Sequence, residues 1–430
     1  MKKILIIGGG LSGLSSAVFL SKIGYSIEII ESTPKLGGRT YSLNYNGIAV
    51  DNGQHILMEC YKNTLEYIDI IGSRDLFEFQ EALSINYVND RKELFKFKIP
   101  KYFYPLNRII GIMTFRLLKM KDRLSVLKFL LKLKINAANN FIDLTVYEFL
   151  RQNNQSKEAI SSFWESLVVS TMNTTTKTAS SQIFVDMMKI IFFTDKRSAN
   201  IVIPKGDLSK ALIAPAAKHL KSNGVKISTS ERLISVSIED GKATQILTNK
   251  RTITDFDILI SSIPEYSLRK VEFINLNQRI TLSKLKYAPI VTVHVWLNSN
   301  PLEEKMYNLV GGKFDWLFNH GTHISLVKSN ALELAEMNKN LVIKIVFSEL
   351  KKYFTILSKS EIKSYILLKE KYATFVPDLD SIKQRKSISN LIENFYVCGD
   401  WTDTGLPATI EGAVKSGKNV TQKIISNNFN

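Results

Sequence analysis

Gly8, Gly10 and Gly13 stand in the spacing Gly-x-Gly-x-x-Gly, and an acid, Glu31, follows eighteen residues after the last of them. These types in this order suit the binding of a dinucleotide. Gly8 permits a tight turn, Gly10 lets the backbone reach a pyrophosphate, and Gly13 lets a helix pack closely on a strand. Glu31 is placed to accept hydrogen bonds from an adenosine ribose. A second polar set is packed into Val50-Asp51-Asn52-Gly53-Gln54-His55-Ile56-Leu57, and a third lies far along the chain in Gly399-Asp400-Trp401-Thr402-Asp403. Asp51, His55 and Asp403 are the groups in these blocks able to move a proton, and His55 is the one whose ordinary pKa lies near neutrality. Each also has a structural explanation: Asp51 as a turn former, His55 as a hydrogen-bonded buried imidazole, Asp403 as a loop acceptor for backbone N–H groups.

The elements needed to position these residues are legible around them. Ile4 to Ile7 is a run of β-formers that enters the glycines directly, and an apolar-periodic helix leaves them without a spacer. Ser26 to Ile30 is a second strand, and Glu31 stands at its end. Pro34-Lys35-Leu36-Gly37-Gly38-Arg39-Thr40 then forms a turn in which glycines allow close backbone approach and Arg39 offers a fixed cation. A helix is expected over Tyr61 to Ile71. From about Leu76 to Arg197 the β-α alternation stops and the chain reads as helices, a lid or substrate region. Alternation returns with a helix from Leu208 to Lys221 capped near Asp207, a strand at Val225 to Ile227, a hairpin from Leu233 to Thr248 turning at Asp240-Gly241, and a strand at Asp257 to Ile260. Residues 266–389 mix strands, among them Ile290 to Leu297, with helices. Phe395 to Asp400 is a buried-type strand, and the small residues of Ala408 to Gly417 suit a helix that approaches a neighbour closely.

The expected fold is therefore α/β. A Rossmann-type dinucleotide domain is assembled discontinuously from 1–75, 198–265 and 390–430, and a mixed α+β substrate domain is inserted as 76–197 and 266–389. At 430 residues with 45% hydrophobic content the chain can bury a large core. Cys60 and Cys398 are the only cysteines; far apart and outside any paired motif, they indicate neither a disulfide framework nor a zinc site, and no metal is expected. Lys2-Lys3 and the uncharged run after it imitate a signal peptide, but the three glycines and three serines interrupt any continuous apolar segment, so a cytoplasmic protein is expected. The net charge of +17 is concentrated: between Lys96 and Lys134 eleven basic residues face the single acid Asp122. Bulky residues such as Phe103, Ile109, Ile110 and Leu117 are interleaved with them, which suits peripheral docking on an anionic membrane surface. No nucleic-acid-binding motif accompanies the charge. Helices that cover a core and keep solvated lysines outside would explain the same pattern.

Taken together, Gly8-x-Gly10-x-x-Gly13, Glu31, Gly37-Gly38-Arg39, Gly399-Asp400 and Glu411-Gly412-Ala413 resemble the FAD-dependent amine oxidase and phytoene desaturase superfamily. Within it the blocks Asp51 to Leu57, Ile203 to Ser209, Lys369 to Phe375 and Gly399 to Ala413 are most similar to the squalene-associated branch, the bacterial hydroxysqualene dehydroxylases. The resemblance implies FAD as cofactor, with Glu31 on the adenosine ribose, Gly38 and Arg39 along the pyrophosphate, and the Leu233 backbone on adenine. It further places Gly399 and Asp400 at the ribityl or phosphate region, and the helix beginning at Thr409 and Ile410 with its N-terminus toward the flavin pyrimidine. Glu411 either complements that helix dipole or touches the cofactor. The implied reaction replaces the allylic hydroxyl of hydroxysqualene by hydrogen, giving squalene and water, with hydride from reduced flavin and an acid that protonates the leaving oxygen. An isoprenoid lipid is then the substrate, and Phe163, Trp164, Tyr287, Trp296 and Trp401 line an apolar tunnel or simply fill the core. The resemblance leaves open a carotenoid desaturase or amine oxidase, and a non-catalytic prenyl-lipid chaperone of the same fold. The electron donor is not indicated.

Overall fold

A computed structural model of the protein describes residues 2–135, 143–276, 284–357, 361–386 and 392–428. Its centre is a five-stranded parallel sheet in the order Lys226–Ser228, Ser26–Ile30, Lys3–Ile7, Ile258–Ser261, Phe395–Val397. These strands read as continuous apolar runs because both faces are covered. Ile4 and Ile6 pack on one side with Leu14 and Val18 of helix α1 (Leu11–Ser21), whereas Leu5 and Ile7 pack on the other with Leu233, Val236 and Leu259. The α/β reading is correct.

The hairpin is present as Leu233–Glu239 and Lys242–Thr248, with Asp240 and Gly241 both at positive φ in its turn. Glu272–Ile274 adds to it in parallel, so this small sheet reaches past the expected boundary at residue 265. The expected boundary at 389/390 lies outside the described residues. The helix after Asp207 is built as a π-helical turn, Ser209–Ile213, followed by Ala214–Ser222, and Asp207 Oδ1 accepts from Lys210 N at 3.0 Å.

A second, seven-stranded sheet runs in the order Ile362–Phe375, Tyr287–Leu297, Ile324–Lys328, Trp316–Asn319, Met306–Leu309, Ser84–Val88, Leu94–Lys98. Its last two members correct the reading of residues 76–98 as helical. In Phe95-Lys96-Phe97-Lys98 apolar and charged residues alternate with period two, and a parallel partner of Ser84–Val88 some 220 residues away, Met306–Leu309, completes the ladder. Helices do follow, among them α2 (Lys62–Ile70) before these strands and α3 (Leu106–Thr114) and α4 (Met120–Ile135) after them. The helical region buries one large apolar cluster that includes Phe115, Phe129, Phe149, Phe163, Trp164 and Phe184. Phe163 and Trp164 are therefore core, and Trp164 donates its indole N–H to Gln155 Oε1 at 3.0 Å. No described helix is long and apolar enough to cross a membrane.

Candidate functional site

The glycine turn is as tight as its spacing demands. Gly8 sits at φ +108, and a Cβ on Gly13 would meet the Gly8 carbonyl oxygen at 2.1 Å. No side chain larger than hydrogen fits there. Gly10 is the N-cap of α1 with no side-chain cap and no acid in the first turn, which leaves the first-turn N–H groups facing outward for an anion. The turn at Gly37-Gly38 closes over this point. Gly37 N donates to Gly9 O at 2.8 Å, and a Cβ on Gly38, itself at φ +58, would lie 3.2 Å from Gly10 Cα. Glu31 reaches back to the same place: Oε2 accepts from Gly9 N at 2.7 Å, while Oε1 accepts from Thr33 N at 2.7 Å.

Arg39 leaves this turn toward the far end of the chain. It donates to Ala373 O at 2.8 Å and pairs with Asp400 Oδ1 at 2.5 Å. Asp400 is buried at the end of the Phe395–Val397 strand. The last helix, Ile410–Asn428, starts beside it; Thr409 caps this helix, its Oγ1 accepting from Gly412 N at 3.0 Å, so the Thr409 hydroxyl is spent on the helix itself. The close approach expected of Ala408 to Gly417 is made to α1: a Cβ on Gly417 would meet Ser15 Oγ at 2.3 Å. Glu411 is resolved as a tie. Its carboxylate accepts from Asn63 N and Nδ2 and from Thr64 N and Oγ1, at 3.1, 2.7, 2.8 and 2.7 Å, at the N-terminus of α2. Leu233 begins the first hairpin strand, paired with Thr248, two residues after Glu231, whose N–H donates to the Glu31 carbonyl at 2.9 Å.

The structure separates the three titratable candidates. Asp51 ends the strand Ile48–Asp51, and its Oδ1 accepts from Ser42 Oγ at 2.7 Å and Leu208 N at 3.0 Å. Burial pushes its carboxyl up to about 6 despite those donors. Its side chain thus holds the 42–51 hairpin to the turn after Asp207. Asp403 is exposed. His55 is the member that faces the interior: a Cβ built on Gly53 would lie 3.9 Å from His55 Nε2 and 3.7 Å from Thr292 Oγ1. Burial, and then the charge of Arg39, lower the imidazole to about 4. At neutral pH His55 is therefore a neutral imidazole, and the ordinary pKa assumed for it from sequence does not apply.

The partners of this loop come from the strand Tyr287–Leu297. Thr292 is buried and its hydroxyl has no partner among the described residues. Two residues on, and so on the same face, His294 Nε2 bonds the Asp51 carbonyl at 2.9 Å, and its Nδ1 bonds Ser325 Oγ at 2.9 Å, which in turn meets His320 Nε2 at 2.8 Å. If His294 Nε2 carries the proton, Nδ1 is the acceptor. Burial holds His294 at about 4, so this chain orients the loop as a neutral relay. Neither Thr292 nor His294 was singled out from sequence, although polar residues at alternate positions of an otherwise apolar strand were the available signal. Of the proposed tunnel aromatics, Trp401 is buried with its N–H on Ile263 O, and Trp296 stacks on His323.

The flavin containing amine oxidoreductase family model matches residues 11–425. The chain belongs to this family. It is an FAD-dependent oxidoreductase, and the Gly10–Gly38 cradle, the uncapped α1 N-terminus and Glu31 fit the dinucleotide that the family uses. It is 25% identical over 430 residues to a hydroxysqualene dehydroxylase of Zymomonas mobilis, covering 98% of each chain. It is 22% identical over 455 residues to a 15-cis-phytoene desaturase of Narcissus pseudonarcissus, covering 98% of this chain and 79% of that one. Among solved structures, an oxidoreductase from Methanosarcina mazei superposes with a TM-score of 0.75 at 17% identity, over 98% of this chain and 100% of that one. That likeness is one of fold.

Proposed function

We propose that the protein removes the allylic hydroxyl of hydroxysqualene reductively, forming squalene. Reduced FAD, when bound, supplies the hydride; with one proton the hydroxyl leaves as water, and the substrate gains two electrons. The observation that carries this reading is the polar pair at Gly53. Thr292 Oγ1, buried and without a partner among the described residues, and His55 Nε2 both border that point, while Ile56, Met58 and Ile290 beside them join the large apolar cluster. A hydrocarbon with one hydroxyl matches such a site, because a buried hydroxyl left unpaired costs about 1–3 kcal/mol. Neutral His55 is suited to hold that hydroxyl, or the water it leaves as, by hydrogen bond, and the proton itself comes from solvent. Full-length similarity to the Zymomonas mobilis enzyme supports the same substrate class.

Similarity to the Narcissus pseudonarcissus desaturase favours a second reading, the oxidation of a carotenoid precursor at the same flavin site. Phytoene carries no hydroxyl, so under that reading Thr292 has nothing to bind. Anaerobic incubation of the reduced holoprotein with hydroxysqualene, and of the oxidised holoprotein with phytoene, separates the two. Squalene from the first mixture is the expected product. Desaturated product from the second, without squalene from the first, refutes the dehydroxylase. Thr292→Val is expected to lower kcat/KM at least about tenfold with flavin content unchanged.

A further inference from the structure

Helix α3 is amphipathic in the inverted sense. Its inward face carries Asn107, Arg108, Gly111 and Ile112, whereas Leu106, Ile109 and Ile110, spaced i, i+3, i+4, point outward with Leu106 59% exposed. Just before it, Tyr102 and Phe103 stand 68% and 73% exposed, and Phe103 holds a left-handed φ of +68 that a bulky residue rarely adopts. Helix α4, which packs on α3, buries an ordinary apolar face but also turns apolar residues outward. Val126, Phe129, Leu130 and Leu133 face the core, and Met120, Leu124, Leu131 and Ile135 form an outer apolar stripe, with Ile135 77% exposed. On a helical projection Lys121, Lys128 and Lys132 border one edge of that stripe and Lys134 the other.

The basic residues of this segment divide by role. Arg108 is buried and donates to Asp195 O, and Arg123 donates to Leu118 O and Met113 O, so it clamps the end of α3. Lys96 and Lys101 pair with Glu304 and Glu81. Among the described residues, Arg116, Lys119, Lys121, Lys128 and Lys134 make no ion pair. Apolar tips beside unpaired cations are the two components of insertion into lipid whose headgroups are anionic. A second copy of this chain would bring the same cations face to face, which disfavours self-association through this face.

We propose that the outer face of 102–110 together with α4 docks on an anionic phospholipid bilayer, with Phe103, Leu106 and Ile110 entering the acyl boundary and Lys119, Lys121 and Lys128 at the headgroups. This stands apart from the reaction proposed above. The test is co-sedimentation of the holoprotein with vesicles of phosphatidylcholine, with and without phosphatidylglycerol. Binding is expected only with phosphatidylglycerol present. It should weaken at least about tenfold in Leu106→Asn/Ile110→Asn, and about fivefold for each of Lys119→Glu, Lys121→Glu and Lys128→Glu. Phe103→Trp gives a second readout: its emission should shift to the blue on binding and be quenched by brominated lipid. Equal sedimentation with both vesicle types, binding lost only with the charge reversals, or a tryptophan that stays in water overturns the insertion. A dimer in solution that Leu106→Asn/Ile110→Asn dissociates assigns the face to a second copy instead and also overturns it.

Discussion

Removing the Glu411 carboxylate should destabilise the protein without touching the flavin directly. Its two oxygens satisfy four donors at the start of α2, two from Asn63 and two from Thr64, and both Glu411 and Thr64 are buried. Leaving buried donors unpaired costs about 1–3 kcal/mol apiece, and these groups do not act independently, so Glu411→Ala should lose about 3–5 kcal/mol. Glu411→Gln keeps one oxygen and turns an NH2 group on the other pair of donors; a smaller loss, about 1–3 kcal/mol, follows. Denaturant unfolding of the apoprotein, read by far-UV circular dichroism, measures both. A double-mutant cycle of Glu411→Gln with Thr64→Val should show coupling of about 1 kcal/mol or more. FAD affinity of the folded fraction should change less than about threefold, corresponding to about 0.6 kcal/mol. Unchanged unfolding with flavin binding weakened tenfold would mean that the carboxylate serves the cofactor, and zero coupling to Thr64 would refute the tie.

Asp51 carries a pH signature. Its carboxyl is raised from the usual 3.8 to about 6 by burial, so the native state binds the extra proton and the wild type loses stability as pH rises through that window, by about 3 kcal/mol in the limit. Asp51→Asn, which can still accept from Ser42 and Leu208, should match the wild type near pH 4 and exceed it above pH 7; unfolding curves across that range that stay parallel would disprove this. Gly38→Ala must place a side chain at φ +58 with its Cβ 3.2 Å from Gly10 Cα. FAD affinity measured by flavin fluorescence should fall at least about tenfold, as expected for about 1–2 kcal/mol of left-handed strain in a cradle that is also filled.

What could be read from the chain alone was the part whose chemistry is local. Gly8 and Gly13 are required by backbone geometry within a few residues, and the structure sets Gly13 against the Gly8 carbonyl in a turn that holds Gly8 at φ +108. The polar block from Asp51 to His55 was visible as a block, yet its meaning depended on a strand 243 residues away in sequence, whose Thr292 and His294 give the loop its partners. His55 illustrates the difference: residue type suggested a proton carrier, while burial and Arg39 make it neutral. The strands at 84–98 were missed for a related reason. A two-residue alternation as short as Phe95-Lys96-Phe97 is weak until a distant strand supplies its ladder.

The same long-range closure explains why the glycines at the start of the chain cannot act by themselves. The Gly10–Gly38 cradle is joined to the end of the chain by the Arg39–Asp400 pair, by Ser416 Oγ on Ser12 Oγ at 3.3 Å, and by the contact of Gly417 with Ser15. The last helix is in turn joined through Glu411 to α2, which follows the loop bearing His55. Cofactor cradle, last helix and polar loop are therefore joined by one continuous set of contacts. A dinucleotide bound to the cradle stabilises that whole arrangement by mass action. In such an arrangement flavin occupancy and the geometry at Gly53 are linked quantities, although no described side chain needs to touch both.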